Sequence, residues 1–335
     1  MKGEGDVRCA VIGLGRIASL LEGDPLREKP CTHTGAIVAN RRCRLVGGAD
    51  IAEDRRERFR NDWNCHAVYA DAARMIKELR PQLLVVATDP DSHLAYVELA
   101  AAEGVPVVVC EKPLADTLPR ARRIAGFHSR GHLTVVANHE RRYSADYIRA
   151  REAVLEERYG RLLSVRGTLY FGRTTRRDRM LLHDGTHLVD AINYLLGQPV
   201  RLERRFGALR SNRGSTFLFG RGEKLPVVIE IGSERDHLVF EILLSFERGR
   251  IRVGNGVEQW ERSVESPYYE GYRSLLPDEP GATGKTGYFA NMIADAVAGV
   301  DDPKLEPRSS AVDALEVMRF IKGWNFFFRP GRWFE

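Results

Sequence analysis

The chain has 335 residues, 43% hydrophobic and 29% charged, which is the make-up of a soluble globular protein with enough chain for two domains. No apolar run approaches the ~20 residues of a membrane span. There is no apolar signal region at the N-terminus, and five cysteines without a paired zinc spacing fit reduced thiols in the cytoplasm. The net charge of +5 comes from interspersed charges, concentrated only between Arg173 and Arg179, and no nucleic-acid-binding module is visible.

Val7 to Ile12 reads as a first strand running into Gly13-Leu14-Gly15-Arg16-Ile17-Ala18, a G-x-G-x-x-A turn. The first glycine permits the tight turn and the second lets a pyrophosphate approach the backbone. The small third residue lets the following helix sit close to the strand. Free N–H groups at that helix start favour phosphate, so Gly13, Gly15, Arg16 and Ile17 are expected at a dinucleotide. The helix is interrupted at Gly23-Asp24-Pro25 and resumes near Thr34. Arg44 to Asp50 reads as the second strand, ending in an acid. A carboxylate there accepts hydrogen bonds from the adenosine ribose and repels a 2′-phosphate, which favours NAD over NADP. Arg55 and Arg56, one turn into the next helix, weaken that preference. The simpler reading of Asp50 is a helix N-cap.

Asp71 to Leu79 is helical, Leu83 to Thr88 is a buried strand broken by Asp89-Pro90, and Ser92 caps a helix through Glu103. Val107-Val108-Val109-Cys110 reads as another buried parallel strand. Lys112 stands just beyond its carboxyl end, where open parallel sheets bind ligands. Only 8 of the 51 basic residues are lysines, and Lys112 is the only one between Lys77 and Lys224. A lysine offers an amine whose pKa responds to its surroundings, which arginine does not. A plain surface lysine is the alternative. A helix from Leu118 to Ser129 and a strand from Leu133 to Ala137 complete a parallel, doubly wound sheet with right-handed crossovers.

After Asn138 the pattern changes, so the chain divides into a dinucleotide-binding domain, residues 1–138, and a second α/β domain, residues 139–335. A helix spans Ser144 to Arg158 and a strand Leu163 to Phe171. Between Leu181 and Gly197, Leu188, Val189, Ile192, Leu195 and Leu196 mark one apolar helical face. His187 and Asp190 lie one turn apart, joined by His183 if the helix reaches that far. Ser215 to Phe219, Leu225 to Ile231, Leu238 to Phe246 and Ile251 to Val253 read as antiparallel strands of a second sheet. Tyr268 to Thr286 reads as a loop, and Tyr288 to Val297 and Ala311 to Lys322 as amphipathic helices. The tail from Trp324 to Phe334 carries six aromatics, for packing on its own chain or for a subunit interface.

Hydride transfer at a carbinol carbon requires a proton to leave or join its oxygen. A lysine and a histidine hold such an oxygen and exchange that proton, and a cleft between domains would bring Lys112 and His187 together. His183, His187 and Asp190 also have the outline of a zinc triad. Asp184 and Gly185 stand where a metalloprotease helix needs other residues, and no cysteine ligand is near, so no metal is expected. Arg173, Arg176, Arg177 and Arg179 suggest a site for an acidic group of a substrate, with a solvated basic loop as the alternative.

Taken together, the chain resembles the glucose–fructose oxidoreductase, inositol dehydrogenase and rhizopine-catabolism (Gfo/Idh/MocA) family over nearly its whole length. The markers are the glycine turn, Thr88-Asp89-Pro90-Asp91-Ser92-His93, Glu111-Lys112-Pro113-Leu114-Ala115, Asn138 to Tyr143 and Gly185-Thr186-His187-Leu188-Val189-Asp190. The resemblance implies a Rossmann domain followed by an α/β domain whose open, mainly antiparallel sheet builds a homodimer or homotetramer. It implies Lys112 and His187 as the catalytic pair, and Thr88, Asp89, His93, Glu111 and Lys112 beside the cofactor. His183 occupies a position where the family often has Asp, with Asp184 adjacent, so these two residues are expected to share in the proton relay. The implied activity is NAD(P)-dependent oxidation or reduction of a sugar or cyclitol. The alternatives are an NAD-dependent glycoside hydrolase on the same scaffold and a non-catalytic dinucleotide or sugar sensor.

Overall fold

The structure, a computed structural model, describes residues 6–171, 175–280 and 286–323. It divides into two compact units, one of residues 1–144 with 285–315 and one of residues 145–284 with 316–335. The segment around Tyr288 to Val297, which follows the second sheet in sequence, thus belongs with the first unit.

In the first unit the strands are β1 (Val7–Ile12), β2 (Cys43–Ala49), β3 (Val68–Tyr69), β4 (Leu83–Val86), β5 (Val107–Cys110) and β6 (Thr134–Ala137). The helices between them are α1 (His33–Ala39), α2 (Glu53–Trp63), α3 (Ala72–Leu79), α4 (His93–Ala102) and α5 (Leu118–Ser129). All six strands are parallel, in the order β3-β2-β1-β4-β5-β6. Every residue of β4, β5 and β6 is buried, because crossover helices cover both faces; this is why these segments are unbroken apolar runs. The register pairs Ile12 with Ala49 and Val86, Val86 with Cys110, and Cys110 with Ala137. The residues that follow these partners, Gly13, Asp50, Ala87, Glu111 and Asn138, therefore come to one rim of the sheet.

The helix expected directly after the glycine turn is only one turn long. Ser19 and Leu20 donate to Gly15 O at 3.1 and 3.3 Å, a 3₁₀ turn covers Leu20–Gly23, and the chain then leaves helical form at Asp24-Pro25. Regular helix returns with α1, where the Thr32 hydroxyl accepts the Gly35 N–H at 3.0 Å. Ser92 does not cap α4 through its side chain; its hydroxyl lies 2.7 Å from Thr88 Oγ1 and donates to Asp89 O at 2.8 Å.

In the second unit, helix α6 (Ala145–Leu155) leads to β7 (Leu162–Tyr170), α7 (Arg177–His183) and α8 (Gly185–Leu196). Strands β8 (Arg201–Phe206), β9 (Ser215–Gly222), β10 (Leu225–Gly232), β11 (Val239–Phe246), β12 (Gly249–Gly254), β13 (Val257–Glu265) and β14 (Arg273–Pro280) follow. The sheet order is β14-β13-β12-β11-β7-β10-β9-β8, antiparallel except for the β7–β10 pair. Strand β11 alternates strictly, with Phe240, Ile242, Leu244 and Phe246 in a core shared with Leu188, Ile192 and Leu195 of α8. Gly197 ends α8 at φ +67°.

Strand β14 corrects the reading of Tyr268 to Thr286 as a loop. Arg-Ser-Leu-Leu-Pro-Asp-Glu-Pro lacks a strand's signature, but β14 is an edge strand, and the pairing slips next to Glu261, the residue opposite Pro277. The two remaining helices are α9 (Tyr288–Asp301) and α10 (Ala311–Gly323). Phe289, Met292, Ile293 and Ala296 of α9 pack with Val11, Val85 and Val109 in the first unit's core. No helix of the described residues is long and apolar enough to cross a membrane. Arg173 and the aromatic tail from Trp324 onward lie outside the described residues.

Candidate active site

The glycine turn takes its shape from the strand end beneath it. Gly13 sits at φ +83°, where a Cβ would come within 2.6 Å of Ala87 O. Its N–H donates to Ala49 O at 2.8 Å. Gly15 faces open space, with only Arg55 Nη1 within 4 Å of a built Cβ, at 3.8 Å. A phosphate group can therefore approach the backbone at Gly15, and the turn fits a dinucleotide.

Asp50 follows β2 and is buried. Its Oδ2 accepts the Leu14 N–H at 2.8 Å, and its Oδ1 accepts the Ala52 N–H at 2.9 Å. The N-cap of α2 is Ala52, so Asp50 braces the glycine turn instead of capping the helix. Arg55 lies half-exposed with Nη1 3.5 Å from Asp50 Oδ2. Arg56 is turned onto the carbonyls of Asp50 and Ile51, at 2.8 and 2.9 Å.

On the rim beyond β4, His93 Nε2 lies 3.0 Å from Thr88 O and Nδ1 3.3 Å from Leu114 O. Burial disfavours charge on this ring, but Cys110 and the two carbonyls outweigh it and raise the His93 pKa to about 9. The side chain therefore ties the Thr88–Asp89 turn to the segment after Lys112, and both of its ring nitrogens are occupied.

Beyond β5 the chain passes Glu111 and Lys112 into a cis peptide at Pro113. Glu111 is buried. Its Oε1 lies 2.7 Å from His33 Nε2 and accepts the Asn138 amide, and its Oε2 accepts the Lys112 N–H at 3.1 Å. Burial pushes this carboxyl up, but the His33 hydrogen bond and charge, the Lys112 ammonium and Asn138 together hold it at about 2. Glu111 is thus a fixed anion beside Lys112. Glu140 lies in the same field; burial and Glu111 raise its pKa against the pull of Arg141 and Lys112. His33 and Glu140 are absent from the residues singled out in the sequence. His33 shows there only as a polar residue opening a short apolar helix.

In the second unit, His187 and Asp190 lie one turn apart in the buried first half of α8. Asp184 interrupts the helix, so His183 ends α7 with its side chain 72% exposed, 3.1 Å from Asp184 Oδ2. His183 and His187 therefore do not share one helical face. Among the described residues, no group of three His, Cys, Asp or Glu could hold a metal ion.

The arginine cluster separates by role. Arg177 is buried and donates to Thr216 Oγ1 at 2.8 Å, Arg213 O at 2.5 Å, Gly214 O at 3.0 Å and Ala208 O at 2.7 Å. It fastens the loop between β8 and β9 and is not a substrate ligand. Arg176 is paired with Asp178, and Arg179 is exposed.

This sheet order, glycine turn and acid at the end of β2 define a Rossmann dinucleotide-binding unit. Residues 7–139 match the oxidoreductase family with an NAD-binding Rossmann fold, Gfo/Idh/MocA. It is 31% identical over 150 residues to the provisionally named oxidoreductase YteT of Bacillus subtilis, covering 40% of this chain and 34% of that one. The chain thus spans about a third of the length of that curated relative. It is 28% identical to the inositol 2-dehydrogenase/D-chiro-inositol 3-dehydrogenase of Shouchella clausii over 325 residues, covering 87% of this chain and 90% of that one. A crystal structure from Desulfitobacterium hafniense, provisionally named an NADPH-dependent oxidoreductase, has the same fold. Its TM-score is 0.79 at 16% identity, over 95% of this chain and 94% of that one.

Proposed function

We propose that this chain is an NAD(P)-dependent dehydrogenase acting on a hydroxyl or keto group of a sugar, a cyclitol or a derivative. The observation that carries the reading is the shared rim, where the glycine turn, the Asp50 brace and the Glu111–Lys112 step stand at the carboxyl ends of neighbouring strands. The likeness to an inositol dehydrogenase along most of both chains supports the substrate class.

Gly15, Arg16 and Ile17 would offer backbone N–H groups to the pyrophosphate, with Gly13 shaping the turn beneath it. Asp50 would face the adenosine ribose. Thr88, Asp89, His93 and Glu111 would shape the nicotinamide side. The nicotinamide, when bound, supplies or accepts the hydride. Lys112 would hold the substrate oxygen, and His187 would exchange its proton, imidazole being the side chain whose ordinary pKa lies nearest neutrality. His183 and Asp184, 3.1 Å apart and close to His187 in sequence, would pass that proton on to solvent. NAD is the preferred cofactor because Asp50 repels a 2′-phosphate, and Arg55 leaves NADP a second choice. Self-association into a homodimer or homotetramer belongs to the same proposal.

The test is a polyol and sugar screen read by NADH absorbance, followed by Lys112→Ala and His187→Ala. The expected result is turnover with at least one polyol, reduced ~10²-fold or more in each variant with NADH binding intact. Full turnover in Lys112→Ala would overturn the role of the lysine.

A further inference from the structure

His33 belongs to neither the glycine turn nor the lysine strand, yet it touches both. Its ring is fully buried and meets Phe289 edge-on at 5.3 Å. Nε2 faces Glu111 Oε1 at 2.7 Å, so this nitrogen carries the proton, while Nδ1 is buried without a hydrogen-bond partner. The backbone at the same position is bound the other way. The His33 N–H donates to Ile17 O at 3.2 Å and the Thr34 N–H to Ala18 O at 2.9 Å. Ile17 and Ala18 are the last residues of the glycine turn.

A single residue therefore has its backbone on the turn that would receive the pyrophosphate and its side chain on the carboxylate that accepts the Lys112 N–H. Asn138, from the end of the next strand, donates to the same Oε1 and lies 3.5 Å from the imidazole. Two buried groups from two other chain segments, His33 and Asn138, fix the Glu111 carboxylate, and the lysine follows it directly. An ion pair placed only to stabilise would not need a neutral amide as third partner or a backbone link to the phosphate-binding turn.

We propose that His33 is a positioning residue that sets the placement of Lys112 through Glu111 and ties it to the dinucleotide-binding turn. This rests on Lys112 being the reactive amine of the proposed dehydrogenase. The test does not require turnover, so it can fail separately from that reading.

The experiment is competitive acylation of the full chain with succinimidyl acetate, with and without ADP, read by peptide mass spectrometry as the labelling rate of Lys112 relative to Lys77 and Lys224. ADP presents a pyrophosphate but no nicotinamide, so it occupies the turn without shielding the lysine by the nicotinamide. Three variants are compared. His33→Phe keeps a ring against Phe289 and removes the donor, His33→Gln keeps an N–H within reach of Glu111, and Glu111→Gln tests the same link from the other side. The expected result is a change of more than 3-fold in relative Lys112 labelling in His33→Phe and Glu111→Gln. His33→Gln should stay within 2-fold of the parent. ADP should alter Lys112 labelling in the parent and not in His33→Phe, with ADP still bound. A merely structural histidine would lower stability and leave the relative labelling of Lys112 unmoved. Unchanged labelling in a folded His33→Phe, or in Glu111→Gln if that variant does not fold, would overturn the proposal.

Discussion

Asp50 Oδ2 accepts the backbone N–H of Leu14 at 2.8 Å, so the acid at the end of β2 is also a brace of the glycine turn one strand away. Its other close neighbour is the Arg55 guanidinium, 3.5 Å from the same oxygen. One carboxylate thus governs the shape of the turn and the charge at the end of β2.

Asp50→Asn should weaken NADH binding about 10-fold and raise the preference for NADPH, since the repelling charge goes and Arg55 is released to meet a 2′-phosphate. Arg55→Ala should do the reverse, lowering NADPH affinity with little change for NADH. Fluorescence titration of both variants checks this. An unchanged NADH-to-NADPH ratio in Asp50→Asn would remove Asp50 from cofactor selection.

Gly13→Ala places a Cβ at 2.6 Å from Ala87 O in a backbone conformation with φ +83°. Strain of this kind costs about 1–3 kcal/mol and displaces the turn. The variant should melt several degrees lower and bind NADH at least 10-fold more weakly. Gly15→Ala has room for its Cβ, so it should keep its stability and lose affinity only.

The depressed Glu111 pKa, at about 2, sets a pH dependence. A carboxyl held below its unfolded value of about 4.3 adds stability above that value, and the contribution is lost as pH falls towards its folded value. The parent should exceed Glu111→Gln by about 2–3 kcal/mol near neutral pH. The gap should close between roughly pH 4 and pH 2. Urea unfolding across that range measures it, and a gap independent of pH would contradict the ionised pair.

Arg177→Met should cost about 3 kcal/mol, because a buried guanidinium hydrogen-bonded to one hydroxyl and three carbonyls is removed and those partners are left dry. Denaturant titration reads the loss. A selective rise in KM for acidic sugars with stability unchanged would restore Arg177 to a substrate role.

The sequence made the parallel sheet readable because β4, β5 and β6 are covered on both faces and appear as unbroken apolar runs. The glycine turn, Asp50 and Lys112 could be placed on the rim because each stands just beyond a strand end. Strand β14 was not, since an edge strand tolerates Pro277 and needs no apolar alternation. The place of Arg177 was also hidden: a basic cluster in sequence says nothing about which member turns inward to bind carbonyls. His33 escaped for a related reason. Its partner Glu111 is 78 residues away, and only the shared rim of the sheet brings the two together. The break at Asp184 separates two histidines whose spacing of four suggested one helical face.

The most direct measurement is fluorescence titration of the purified full chain with NADH and NADPH side by side. The dehydrogenase reading predicts saturable binding of NADH in the micromolar range, tighter than NADPH. Saturable binding of neither would contradict it, and the glycine turn would then have to be explained without a dinucleotide.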